Sequence, residues 1–305
     1  MSFNIYSKKI DKFKDHNVIE YSIQEKATYC NELTLNHKFS DKDHKKTYGK
    51  NILIGGTNGF LGSILLSSSA AVKTGSRYFI VCTNKLHAET VSIFQNELVT
   101  SEYSKNVLKN LNDYKVVIVG PGLSDDAWSE SIFLDLVNAI SKNSLSTKLI
   151  MDGGIFLFLS RNPFKYQNWV LTPHEGEAAM LLNRSPSWIR NNRIEAACLL
   201  QEKYSGVVVL KGLNTIIYDG TDIFTCSHGG HHMGMAGMGD ALTGVMSSIM
   251  GLTKDNELKN AVLFAVGLHS LSADVIKTKR GPIGVLPSDV IEKMSELVNN
   301  FYHES

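Results

Sequence analysis

"NILIGGTNGFLGSILLSSSAAVKTG", residues 51–75, runs from an apolar strand through a glycine-rich turn into a helix rich in small residues. The run at 51–54 fits a strand buried on both faces, and the glycines behind it permit a sharp change of direction. The helical pattern over 62–74 carries Gly62, Ser63, Ser67, Ser68, Ser69, Ala70 and Ala71, which allow close approach to a flat neighbour, most simply the sheet itself. No GK[ST] follows the turn, so it is not a P-loop. The same signature recurs in "YFIVCT", "KVVIVGPG", "KLIMDGG", "WVLTPHEG" and "GVVVLKG", each closing on Gly, Pro or small polar residues. With crossover helices such as 62–74 and 127–141, these βα units predict an α/β fold: a doubly wound, mostly parallel sheet flanked by helices. Ligands in such sheets bind beyond the carboxyl ends of the strands, where the glycines cluster.

Later in the chain, "TIIYDG" and "DIFTC" flank a turn signal at Asp219, Gly220 and Thr221 and predict a hairpin that leads back toward Gly237. Helical patterns then cover 257–276 and 287–301. A chain of 305 residues with 43% hydrophobic content can bury a large core. We read 41–305 as one domain and 1–40 as an N-terminal segment of no assigned role. Lysine plus arginine (31) balances aspartate plus glutamate (30), which argues against a broad nucleic-acid or membrane surface. Cys30, Cys82, Cys198 and Cys226 are widely spaced, without CxxC, and suggest a reducing compartment. The polar start and the lack of about 20 uninterrupted apolar residues lead us to expect a cytoplasmic protein.

The densest chemistry lies in "GGHHMGMAGMGDALTGVMSSIMG", residues 229–251. Leu242, Val245, Met246, Ile249 and Met250 form one helical stripe, so Asp240 is expected to open a helix. An aspartate there can simply cap the helix. Gly237 and Gly239, however, allow backbone conformations closed to other residues, so that several N–H groups can converge at the positive end of the helix dipole. A phosphoryl group fits such a hole, with Asp240 placed to take a proton from an attacking hydroxyl.

Two shorter motifs join it. "TPHEGE" combines a strand end with His174, Glu175 and Glu177: His174 can bond or stack on a polar ligand, and a carboxylate can hold magnesium through water, although acidic residues also favour a helix start. "VLKGLNT" ends an apolar strand on Lys211, which needs either an anion, such as a nucleotide phosphate, or an escape to solvent. His228, His231 and His232 resemble metal ligands, but their glycine-rich setting supplies no further donor, and the metal ligands are left unassigned.

Taken in order, "HKKTYG" (44–49), "IGGTNGFLGSILLSSSAAVKTG", "VGPGLS", "TPHEGE", "LKGLNT" and "GMAGMGDALTG" resemble the ADP/ATP-dependent NAD(P)H-hydrate dehydratase family, a branch of the ribokinase-like fold, without its epimerase domain. The resemblance implies repair of the 6-hydroxylated hydrate of NADH or NADPH: the hydroxyl is phosphorylated by ADP or ATP with Mg2+, and phosphate is then eliminated. It implies that Ser63, Gly122, His174 and Asp240 line the hydrate site. It implies too that Lys211, Gly212, Leu213, Asn214, Thr215 and Gly239 hold the nucleotide, with catalysis at Asp240 beside Gly237 and Gly239. A homo-oligomer, often a tetramer, is also implied.

The chain departs from the family pattern in several places. Ser63 stands where the family commonly has Ala, "MDGG" replaces "DAD" so that Gly154 stands for a carboxylate while Asp152 is kept, "GMAGMGD" is either a glycine loop two residues shorter or an ungapped one with Ala236 in place of a glycine, and Gly75, Ser76 and Arg77 stand for "GAG". Two other readings share these motifs: a ribokinase-like kinase of a vitamin-precursor alcohol that stops at the phosphate ester, and a catalytically weakened nucleotide-binding protein.

Overall fold

The computed structural model describes residues 18–23, 44, 48–142, 147–253 and 257–301. Cys30, residues 45–47 of the "HKKTYG" motif and most of segment 1–40 lie outside them. The strands, in chain order, are β1 (Val18–Tyr21), β2 (Asn51–Ile54), β3 (Phe79–Thr83), β4 (Val99–Glu102), β5 (Val116–Val119), β6 (Lys148–Met151), β7 (Trp169–Leu171), β8 (Val207–Leu210), β9 (Ile216–Tyr218) and β10 (Ile223–Cys226). The helices are α1 (Leu61–Lys73), α2 (Lys85–Phe94), α3 (Lys105–Lys109), α4 (Ala127–Lys142), α5 (Ile155–Arg161), α6 (Glu175–Leu182), α7 (Pro186–Asn191), α8 (Arg193–Tyr204), α9 (Met238–Leu252), α10 (Leu258–Arg280) and α11 (Pro287–Val298).

All ten strands form one sheet in the order β1-β10-β9-β8-β7-β6-β5-β2-β3-β4. Pairing is parallel from β8 through to β4, and the expected hairpin appears as antiparallel β9 and β10. The apolar runs are continuous because both faces are covered: in β5, Val116 and Ile118 join one core cluster, Val117 and Val119 the other. β8 divides the same way, Val207 and Val209 against Val208 and Leu210.

Three expectations change. β1, from the segment before residue 41, adds a parallel strand against β10, anchored by the Tyr21 hydroxyl donating to the Leu263 carbonyl at 3.1 Å. The small residues of α1 meet α9 as well as the sheet: a side chain at Gly244 would lie 2.1 Å from the Ser67 carbonyl and 2.7 Å from the Ala70 Cβ, while Ala70 and Ala71 share a core with Leu53 and Phe79. α9 itself is buried on every side from Ala241 to Leu252, not along one stripe, because α1, α10 and α11 enclose it. α10 is long and apolar enough to cross a membrane, but 83% of that stretch is buried inside the fold, where it serves as a core helix.

The strand order reverses between β2 and β5, the position at which doubly wound sheets open a crevice. There the two following loops are stitched together, with Gly56 N–H donating to the Pro121 carbonyl at 2.9 Å and Thr57 N–H to the Gly122 carbonyl at 2.7 Å.

Candidate active site

The ends of β6, β7 and β8 bring three polar side chains together. Asp152, 3% exposed, follows β6; Lys211 follows β8 and places Nζ 2.5 Å from Asp152 Oδ1. Thr172, just after β7, donates to the same oxygen at 2.6 Å. Lys211 thus finds its anion inside the protein, a partner the sequence reading did not supply. Burial alone would lower the Lys211 pKa, but Asp152 and Glu177 outweigh it and hold it above the usual value.

"TPHEGE" folds as a capping box. His174 is the N-cap of α6: its Nδ1 accepts from Gly176 N–H at 3.0 Å and Glu177 N–H at 3.2 Å, while Glu177 Oε2 accepts from His174 N–H at 2.7 Å. Burial and the nearby Lys211 lower the His174 pKa, so the ring is neutral with its proton on Nε2, 3.5 Å from Glu177 Oε1. The helix-start role and the site role therefore coexist, and His174 offers the site a donor. Burial raises Glu177 to about 7, with Lys211 opposing and Asp152 adding to the shift; its Oε2 lies 3.9 Å from Lys211 Nζ.

Facing this cluster is the N-terminus of α9. The helix begins at Met238, two residues earlier than the apolar stripe suggests, so Asp240 sits inside the first turn and Gly237 is the N-cap. Gly237 has φ 93°, a left-handed conformation that favours glycine, and a side chain there would also push aside the tip of Leu66, 2.4 Å away. Gly239 is helical, and its lack of a side chain serves approach instead: a Cβ would stand 3.1 Å from Lys211 Nζ. Met238 N–H donates to the Met235 carbonyl at 3.3 Å and Ala241 N–H to the Gly237 carbonyl at 3.0 Å; the amides of Gly239 and Asp240 between them come too early for an intrahelical acceptor, and no side chain caps the helix. Asp240 is pushed up to about 6, mainly by burial and then by the charge of Asp152, while a hydrogen bond from Ser63 and the Lys211 charge pull the other way. The Ser67 hydroxyl fixes the Asp240 carbonyl at 2.9 Å.

Between the two halves lies a cavity of about 850 Å³, within the range of small-molecule sites. Lys211, Gly212, Leu213, Thr215, His174, Gly237, Gly239 and Asp240 all line it; Asn214, in a left-handed conformation, turns to a neighbouring cavity of about 410 Å³ with Leu213. Ser63 reaches the site through its bond to Asp240. Gly122 is not in the cavity wall; with φ 68° it packs on Phe60 and Gly56, where a Cβ would be 2.9 Å from the Phe60 Cβ. His269 and Ser270 of α10 also line the cavity, and they had no sequence signal beyond being polar in an apolar helix. Among the described residues no group of three or more His, Cys, Asp or Glu is placed to hold a metal; His228 and His232 flank Asp274 instead.

Residues 51–296 match the family described as NAD(P)H-hydrate dehydratase. A bifunctional NAD(P)H-hydrate repair enzyme of Coxiella burnetii is 32% identical over 259 residues, covering 84% of this chain but 51% of that protein; the chain spans about half the length of such bifunctional relatives. An ADP-dependent (S)-NAD(P)H-hydrate dehydratase of Listeria monocytogenes is 27% identical over 268 residues, 87% of this chain and 92% of the relative. Among solved structures, a ribokinase-like superfamily protein of Enterococcus faecalis superimposes with TM-score 0.77 at 24% identity, covering 87% and 91% of the two chains. The ADP/ATP-dependent NAD(P)H-hydrate dehydratase of Bacillus subtilis, co-crystallised with ATP and Mg2+, gives 0.75 at 22%, covering 87% and 94%. The fold is ribokinase-like, and over the stretch that builds the sheet and the cavity the chain belongs to the NAD(P)H-hydrate dehydratase family.

Proposed function

We propose that this chain dehydrates the 6-hydroxylated hydrate of NADH or NADPH back to the reduced cofactor at the expense of ADP or ATP. The observation that carries this reading is the position of Asp240, in the first turn of α9 and opening on the same cavity as Lys211. In the first step Asp240 takes the proton of the ring hydroxyl as its oxygen attacks the terminal phosphorus. A new O–P bond forms, the bridging P–O bond breaks, and ADP or AMP leaves. The unpaired amides at Gly239 and Asp240 face the charge that grows on the transferred group. In the second step the C–O bond breaks toward phosphate, the ring nitrogen lone pair fills the gap, and the adjacent ring proton passes to the departing phosphate, which completes the double bond. Phosphorylation is needed because hydroxide is a poor leaving group.

Within this reading, the Lys211, Gly212, Leu213, Asn214 and Thr215 turn and Gly239 hold the nucleotide, and Ser63, His174 and Asp240 face the hydrate, with Gly122 bracing a neighbouring turn through its carbonyl bond to Thr57. Asp152, Glu177 and Asp240 put three carboxylates around one ammonium, so a polyphosphate enters favourably only with a cation. Magnesium suits the site: it needs few protein ligands and takes the rest from phosphates and water, with Glu177 and Asp240 as the available carboxylates. When bound it would neutralise phosphate charge. We further propose a cytoplasmic homo-oligomer, with 41–305 as the catalytic domain and β1 of the preceding segment added to its sheet.

Phosphorus NMR of a reaction of NADH hydrate, Mg2+ and ATP tests the assignment. Inorganic phosphate appearing with reduced nicotinamide is the expected result. A stable phosphate ester would identify a kinase, and bound but unturned nucleotide a non-catalytic binder.

A further inference from the structure

α10 is apolar and buried for most of its length, yet two of its polar side chains reach the same loop, residues 227–237, which joins β10 to α9. Asp274 Oδ2 accepts from Gly229 N–H at 3.0 Å and from His228 Nδ1 at 3.2 Å, and Oδ1 lies 3.1 Å from His232 Nε2. Burial would raise the Asp274 pKa, but these donors outweigh it and keep the carboxylate ionised. At the far end of the loop the His269 ring, 4% exposed, hydrogen-bonds the Met238 backbone. Between the two anchors the loop walls the large cavity and delivers Gly237 to the head of α9.

The loop contains Gly229, Gly230, Gly234 and Gly237. Such a segment has many conformations to lose on folding, so contacts from outside must hold it in place. His228 extends the anchor in the opposite direction, with Nε2 2.8 Å from the Ile23 carbonyl at the end of β1.

We propose that Asp274 is a positioning residue for nucleotide binding: acting through Gly229 and His228, it pins the β10–α9 loop so that the cavity wall and the α9 amides are set before the phosphates arrive. The proposal rests on reading the cavity as the nucleotide site. The pin replaces ordering that the ligand would otherwise have to supply on binding.

Calorimetric titration of ATP and ADP with Mg2+ into the full chain, the Asp274→Ala variant and the Asp274→Asn variant tests it. Removing a charged acceptor with two donors should weaken nucleotide binding by roughly tenfold or more. Asp274→Asn, which keeps one oxygen, should weaken it by about threefold or more. In steady state, KM for the nucleotide should rise by a larger factor than kcat falls. A folded Asp274→Ala protein that binds both nucleotides within twofold of the parent overturns the proposal. Should that variant fail to fold, an Asp274→Asn affinity equal to the parent's overturns it instead. If the parent binds neither nucleotide, the nucleotide reading of the cavity falls and the pin with it. Parent binding with unaffected variants removes the pin alone.

Discussion

The two walls of the cavity hold their chemistry in different ways. On the strand side, Asp152, Thr172 and Lys211 follow three neighbouring strands of one parallel sheet and bond one another directly. On the helix side, Gly237, Gly239 and Asp240 follow a glycine-rich loop and owe their position to α1, α10 and the end of β1. Damage to the strand side should therefore appear first as lost stability, and damage to the helix side first as lost binding or turnover.

Asp240→Asn sharpens this division most. It keeps the shape of the first turn but removes the base, so turnover should fall by about 10²–10⁴-fold while nucleotide affinity changes little. Comparing kcat with the calorimetric affinity checks it; comparable loss in both would mean that Asp240 acts by holding the nucleotide. The strand-side counterpart is Lys211→Met, which leaves Asp152 buried without its cation and should destabilise the fold by about 3 kcal/mol or more in urea unfolding. Adding Asp152→Asn to it should restore much of that loss. If Lys211→Met alone is no less stable than the parent, the ion pair does not hold the strand ends.

Gly237→Ala comes next. It meets Leu66 and forces a left-handed alanine, so a loss of about 1–3 kcal/mol together with weaker nucleotide binding is expected. A gentler contrast comes from pH. Asp240 near 6 and Glu177 near 7 lie above their unfolded values, so the native protein binds more protons than the unfolded chain between about pH 4 and 7. Their contribution to stability is complete below the unfolded values and is lost as pH rises through 6 to 7, whereas activity that needs ionised Asp240 rises over the same range. Urea midpoints and pH–rate profiles should thus run in opposite directions there, and Glu177→Gln should flatten the first. Ser63→Ala should have the smallest effect: losing the hydroxyl that favours ionised Asp240 moves the acid limb of the rate profile upward.

Sequence carries the strand wall well because its signals are local. An apolar run such as residues 116–119 predicts a strand buried on both faces, and a lysine ending such a run calls for either an anion or an escape to solvent. What it leaves open is which anion, since Asp152 lies 59 residues from Lys211 and only the parallel register joins them. The helix wall is local at Gly237 and Asp240 but not in its supports. His269 and Asp274 look like stray polar residues in a core helix, and β1 has no signal beyond four residues, because the partners of each lie far off in the chain. The small face of α1 was legible as a close-packing face, yet periodicity does not say that a helix meets it as well as the sheet; Gly244 brings α9 against it. Gly122 is a similar case: its place in a glycine turn was visible, but not that the turn packs on Phe60.

The central claim is that Asp240 drives a nucleotide-dependent dehydration across these two walls. It is tested most directly by near-ultraviolet absorbance in the band of reduced nicotinamide, after mixing the protein with Mg2+, NADH hydrate and either ADP or ATP. The account predicts a rise that requires a nucleotide and vanishes in Asp240→Asn. A flat trace with both nucleotides, or an equal rise in the variant, would contradict it.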